Sequence, residues 1–167
     1  VMTGSVVSSN LGVGIQVNGY YSTVSNNMVV SNGAHGIEVL NLPGPTTVTG
    51  NNISYSAWSG IYVQASLGTG VISGNAIYGS NDEGILLSDT PNYVISNNTL
   101  SGNLTGGGEG SIYLSGASSN VTIEGNQISA AGGYPGIKIL STATGVLVAN
   151  NFYSGASSPI ADYATSS

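Results

Sequence analysis

The sequence predicts an all-β solenoid, a chain of short strands wound into about seven coils of roughly 24 residues. A six-residue phrase (apolar, any, Gly or Asn, Asn, any, apolar) returns along the whole chain. A second phrase, Gly-Ile followed by any residue and an aliphatic, keeps the same beat. Within the second phrase apolar residues stand two apart, which puts their side chains on one face of a strand, and no window carries a sustained helical stripe.

Taken in chain order, the first phrase starts with a degraded copy at Val7 to Asn10. It then recurs at 24–29 around Asn27, 48–53 around Asn51, 72–77 around Asn75, 95–100 around Asn98, 123–128 around Asn126 and 148–153 around Asn151. The second phrase begins at Gly14, Gly36, Gly60, Gly84, Ser111 and Gly136, so its intervals are 22, 24, 24, 27 and 25, and Pro159 with Ile160 extends it by another 23. Short β-branched and aromatic runs bounded by Gly, Asn, Ser and Pro clusters read as strands joined by turns. One such unit cannot bury its apolar face alone, so the copies must stack.

The recurring Asn fits a tight corner between two strands. The slot before it holds Gly or Asn, the residues that best tolerate a left-handed backbone. If every coil turns at the same place, the amides of Asn27, Asn51, Asn75, Asn98, Asn126 and Asn151 stack at about 4.8 Å. Each then donates to one neighbour and accepts from the other.

Together the Gly-Ile-x-aliphatic strand, the aliphatic-x-Gly-Asn-x-Ile corner and the Asn column resemble the right-handed parallel β-helix repeat of the pectin-lyase-like superfamily, including its NosD-like members. The likeness runs from about Val6 to Tyr153. It implies one parallel β-helix domain over 1–167, with the Gly-Ile phrase as the first strand of each coil. The Asn ladder would lie at the corner joining the second and third strands. In relatives that act on polysaccharides the substrate lies along the outer face of the first strand and the loop entering it. Carried over coil by coil, that face holds Gln16, Glu38, Tyr62, Leu86, Tyr113 and Lys138, flanked by His35, Trp58, Asp82 and Glu83. A sugar would stack on Trp58 or Tyr62 while Glu38, Asp82 or Glu83 accepts its hydroxyl hydrogens, so the candidate carbohydrate site is His35, Glu38, Trp58, Tyr62, Asp82 and Glu83.

Composition narrows the setting. Only 5% of the 167 residues are charged, against about a quarter in ordinary soluble proteins. Lys138 is the one basic residue, and a net charge of −6 repels a phosphate backbone, so no nucleic-acid partner is expected. A Ser, Thr, Asn, Gly and Tyr surface titrates little and suits an extracellular or cell-surface setting. No run reaches the apolar length of a membrane span. The first residues lack a signal-peptide pattern, so either a signal was removed or the chain was cut from something longer. With no cysteine, no disulfide is expected, and a solenoid of this size needs none.

Asn52, Asn97, Asn103 and Asn120 head Asn-x-Ser/Thr triplets and are candidate glycosylation sites, with Asn103 in the most loop-like stretch. That stretch, 101–110, lengthens one coil, and 41–45 lengthens an earlier corner; both are expected to bulge sideways, where binding tends to reside. The glycine run before Glu109 is not a phosphate loop, because no Lys and Ser or Thr follow it.

No catalytic, metal-ligating or cofactor-binding residues are expected, and the chain is read as a non-enzyme. Lyases of the resembled family place carboxylates around calcium and a basic residue near the sugar proton; here arginine is absent and Lys138 lies coils away from Asp82 and Glu83. Hydrolysis needs two carboxyl groups roughly 5 to 9.5 Å apart, whereas neighbours such as Asp82 and Glu83 point apart on a strand approach. His35 has no nucleophile-elbow sequence to accompany it.

The leading functional expectation is an extracellular surface or filament module whose open terminal coils stack end to end or bundle with copies of itself. The alternatives are a carbohydrate-binding adhesin or tailspike-like module, with glycans as partners, and a fragment of a polysaccharide lyase or hydrolase.

Overall fold

The computed structural model describes residues 1–41, 43–130 and 133–164. Among these residues the regular structure is β throughout, in three seven-stranded parallel sheets. Each coil contributes one strand to each sheet in turn, as Thr46–Thr49, Asn52–Ser54 and Ile61–Gln64 do. The first sheet runs from Met2–Thr3 to Leu147–Ala149, the second from Val6–Ser8 to Phe152–Ser154, and the third from Ile15–Val17 to Ile160–Asp162. This is the expected right-handed parallel β-helix, with the Gly-Ile phrase forming the third sheet in this order. Among the described residues no helix is long and apolar enough to cross a membrane.

Register follows the sequence phrases except in the degraded first copy: Val7 pairs with Val29 and Met2 stands opposite Val24, so Val7 to Asn10 aligns with 29–32 and not with the ladder corner. Ile37 pairs with Ile61, Ile61 with Ile85, Ile85 with Ile112 and Ile112 with Ile137. Because side chains alternate, like residues of successive coils form interior columns: Val24, Val48, Ile72, Ile95 and Ile123 from the first sheet, and Val29, Ile53, Ile77, Leu100 and Ile128 from the second. All ten are buried. Burial of each such side chain contributes about 1.5 to 3 kcal/mol, so the interior is held by many near-identical terms.

The corner between the first and second sheets carries the ladder. Nδ2 of Asn27, Asn51, Asn75, Asn98 and Asn126 donates to Oδ1 of the next Asn in the column at 2.9 to 3.0 Å, ending on Asn151. The same Oδ1 also accepts the backbone N–H of the preceding Asn, and Nδ2 donates a second time to a strand carbonyl such as Val48 or Ile72. Every buried amide is thereby satisfied. The preceding slot is left-handed in each coil, with φ of 55° at Asn26, 63° at Gly50, 62° at Gly74 and 55° at Asn97, which is why only Gly and Asn occupy it.

Insertion 101–110 departs from the expectation of a sideways bulge at Asn103 and Leu104. Asn103 and Leu104 are buried at 1% and 3% exposure, and the Leu104 N–H donates to the carbonyls of Ser80 and Asp82. Leu104 is apolar and is drawn in over the coil below, while Thr105, Gly106, Gly108 and Glu109 beyond it stay exposed. At the other insertion Leu42 lies outside the described residues; Asn41 keeps register through its N–H to the Gln64 carbonyl at 2.9 Å.

Candidate functional site

The outer face of the third sheet is built by alternation. Its inward residues are aliphatic, so the residue between them must point out, and register sets Gln16, Glu38, Tyr62, Leu86, Tyr113 and Lys138 in one row. The loop entering the strand closes on a glycine at Gly14, Gly36, Gly60, Gly84 and Gly136, with Ser111 and Pro159 in that place in the other two coils. A Cβ at Gly36 would lie 2.6 Å from Ile53 and 2.7 Å from the Gly60 carbonyl, so the loop passes close over the core there. One position earlier, His35 and Glu83 are buried two coils apart, with Ser59 in the coil between them; two positions earlier, Trp58 is 51% exposed.

His35, Trp58 and Tyr62 form one cluster. The His35 ring stacks on Tyr62 with centroids 4.5 Å apart and meets Trp58 edge-on at 5.0 Å. Burial lowers the His35 pKa, against the fields of Glu38 and Asp82 and a backbone hydrogen bond with Ser59, so the imidazole is neutral near pH 7. Its Nδ1 is buried and has no hydrogen-bond partner among the described residues. Burial, and then the charge of Glu38, raises the Tyr62 pKa, keeping its hydroxyl protonated. Glu38 accepts a hydrogen bond from Gln16 at 2.7 Å.

Asp82 and Glu83 part company. Asp82 is half-buried beside the cluster, whereas Glu83 is 6% exposed and turned inward. Its carboxylate accepts from the Ser59 hydroxyl at 3.1 Å and from the Glu109 N–H at 3.1 Å, and burial raises its pKa in spite of those bonds. Since the Ser59 hydroxyl is directed to Glu83 and not to His35, these three residues do not make an activated nucleophile. Glu83 instead ties the glycine-rich insertion to the coil beneath it. Glu109 in turn pairs with Lys138, whose Nζ lies 5.7 Å from the ring centroids of Tyr113 and of Tyr163. The bond to Glu109 raises the Lys138 pKa.

The structure therefore gathers His35, Glu38, Trp58, Tyr62 and Asp82 on one face and assigns Glu83 to a tether. The tether could not be read from sequence, because the insertion has no repeat to align it. Of the candidate glycosylation positions, Asn52, Asn97 and Asn120 are exposed. Asn103 is not in an open loop: its Oδ1 accepts the Ser80 N–H at 3.0 Å and its Nδ2 donates to the Ile77 carbonyl at 3.3 Å. Among the described residues no three His, Cys, Asp or Glu side chains converge as a metal site.

A family model described as "Right handed beta helix region" matches residues 1–153. No curated protein matches the chain. Among solved structures, the A-module of the Azotobacter vinelandii mannuronan C-5 epimerase AlgE4 is similar, with a TM-score of 0.69 and 17% identity over 98% of this chain and 57% of that one. The A-module of the epimerase AlgE6 from the same organism has a TM-score of 0.57 and 14% identity over 99% of this chain and 57% of that one. The chain thus spans little more than half the length of either structure, and at these identities the likeness establishes the fold. It also corrects the expectation of a non-enzyme: the solved chains of similar fold are named as epimerases, which are enzymes.

Proposed function

The chain belongs to the right-handed β-helix family, and from that premise we propose that it is a carbohydrate-active module that holds a glycan chain against the outer face of its third sheet. The observation that carries this reading is the His35, Trp58 and Tyr62 cluster. It is an aromatic surface with Trp58 half exposed, flanked by Glu38 and Asp82 and containing a buried imidazole nitrogen without a protein partner. Aromatic faces take the C–H faces of sugars, and carboxylates accept hydroxyl hydrogens.

Charge along the row grades the face. Glu38 and Asp82 flank the aromatic end and favour neutral sugar units; Lys138 stands two coils beyond Leu86 and is where a uronate carboxylate would be met, in exchange for Glu109. Because the similar solved structures are named mannuronan epimerases, uronate polymers belong in the test beside neutral ones. Affinity electrophoresis through gels cast with neutral glucans, mannans, xylans and polymannuronate, with proton NMR of each polymer after incubation, reads binding and turnover together. Retardation by at least one polymer that disappears in Trp58→Ala is expected. Equal mobility in every gel, or retardation indifferent to Trp58→Ala, overturns the proposal.

A second reading, self-association on an exposed surface, is supported by apolar side chains that face outward from the second sheet. Val6, Met28 and Phe152 share one outward row of that sheet and are 71%, 48% and 63% exposed. Sedimentation at rising concentration tests it; a constant monomer mass rules it out.

A further inference from the structure

A separate cleft lies on the other side of the loop that carries Trp58. Tyr55 ends the second-sheet side of that loop and Tyr78 is the last residue of the strand Ala76–Tyr78 in the next coil. Their rings meet edge to face with centroids 5.3 Å apart, and both remain open to solvent at 56% and 49%. With Ser56, Ala57, Gly79, Asn81, Gly102 and Thr105 they line a cleft of about 430 Å³.

The backbone here is arranged around the two rings. Tyr55 occupies a left-handed position, φ 55°, in a slot that Ser31, φ 54°, fills in the coil before and Gly79 and Gly102 in the coils after. A bulky residue in that conformation costs about 1 to 2 kcal/mol relative to glycine. The next coils then make room for the rings. A Cβ at Gly79 would lie 3.0 Å from the Tyr55 ring, and one at Gly102 would lie 3.2 Å from the Tyr78 ring. The left-handed backbone belongs to the coil corner, and what is particular here is a pair of half-exposed rings over a glycine floor, which directs attention to what the rings meet outside.

The chemistry of the walls selects the ligand. None of the lining residues is charged. Asn81 accepts the Thr105 hydroxyl on Oδ1 at 2.8 Å and keeps its amide nitrogen as a donor. Thr105 and Gly102 come from the glycine-rich insertion, so that segment supplies a wall of this cleft while Glu109 reaches across to Lys138. Pockets that take small ligands begin at roughly 300 Å³, and a perpendicular tyrosine pair beside amide and hydroxyl groups suits a pyranose ring, apolar on its faces and polar at its edge.

The geometry points to a second glycan subsite, formed by Tyr55, Tyr78, Asn81 and Thr105, that binds a neutral sugar unit independently of the third-sheet face. The class of ligand rests on the proposed glycan function; the location does not.

The chain has a single tryptophan, so the two sites report separately: Trp58 emission follows the sheet face, and the ring signals of Tyr55 and Tyr78 in NMR follow the cleft. Neutral hexasaccharides of glucose, mannose and xylose, with a mannuronate hexasaccharide as the charged counterpart, are titrated into the intact chain. The expected result is saturable movement of the Tyr55 and Tyr78 signals with at least one neutral sugar. In Tyr78→Ala the affinity read at Tyr55 falls about tenfold while the Trp58 titration is unchanged, and Tyr78→Phe retains most of it. Both positions are exposed, and far-UV circular dichroism verifies the fold. Tyrosine signals that stay still with every neutral sugar, that move equally for the mannuronate, or that move unchanged in Tyr78→Ala overturn the subsite. A silent Trp58 with responding tyrosines would sink the sheet-face reading and leave the cleft standing; the reverse would do the opposite.

Discussion

Gly70 lies directly against the ring of Tyr93, so closely that a Cβ on Gly70 would fall 2.1 Å from two ring carbons. The two residues are paired in register on neighbouring strands of the first sheet, and Tyr93 is 1% exposed with its hydroxyl 3.0 Å from Ser66 Oγ. One coil thus gives up a side chain so that the next can fill the interior with its largest buried residue.

Gly70→Ala should therefore destabilise by about 3 kcal/mol, the upper end for overpacking a rigid core. In a Tyr93→Leu background the same change should cost much less, since the ring it collides with is gone. Guanidinium unfolding of the two singles and the double measures that coupling, and additive costs would show that the clash is relieved elsewhere.

Asn98 sits mid-ladder, accepting from the N–H and Nδ2 of Asn75 while donating to Asn126 and the Ile72 carbonyl. Asn98→Ala leaves two buried donors on Asn75 unpaired at about 1 to 3 kcal/mol each. Stability should fall by roughly 3 kcal/mol, with faster hydrogen exchange at the Asn75 amide. Unchanged protection there would mean that the ladder bonds contribute little.

A second, interrupted ladder lies at the corner leading to the third sheet. Asn32 and Asn103 bond to adjacent coils as the main ladder does, but Ser56 and Ser80 stand between them with buried hydroxyls that lack partners among the described residues. Room for an amide exists: Gly14 and Gly84 face the Asn32 and Asn103 amides as Gly36 and Gly60 face Ser56 and Ser80. Ser80→Asn should reach the Ile53 carbonyl and Asn103, raising stability by about 1 kcal/mol in denaturant unfolding. A lower midpoint would show that the slot is too tight.

Glu83 is held above its ordinary pKa of 4.5 by burial. The folded chain therefore binds its proton at a higher pH than the unfolded chain does, so this group's contribution to stability rises as pH falls through the folded value and levels off below 4.5. Glu83→Gln keeps an acceptor for the Glu109 N–H and a donor for Ser59 without a buried charge. It should be more stable than the parent at pH 7 and converge with it near pH 4. A stability difference that is flat across that range would mean Glu83 is solvated in the folded chain.

Much of the fold was legible because it is local and repeated. The two-residue alternation sets which side chains enter the core, and the left-handed slot before each ladder Asn admits only Gly or Asn, so every coil states the same geometry again. Ile61, Asn75 and Gly84 could be placed without coordinates on that ground. The row from Glu38 to Lys138 was equally legible, since register alone produces it.

What only the tertiary structure decided lies in the loops between the second and third sheets, where no period constrains side-chain direction. Asp82 and Glu83 are neighbours in sequence, yet one flanks the aromatic cluster and the other is buried under Glu109, because the outcome depends on a segment 26 residues away. Asn103 reads as an exposed loop residue and is an interior rung, while Tyr55 and Tyr78 face each other across coils that share no phrase at those positions. Backbone winding is encoded within each coil, and the chemistry of the surface arises from contacts between different coils, so the first can be read along the chain and the second only across it.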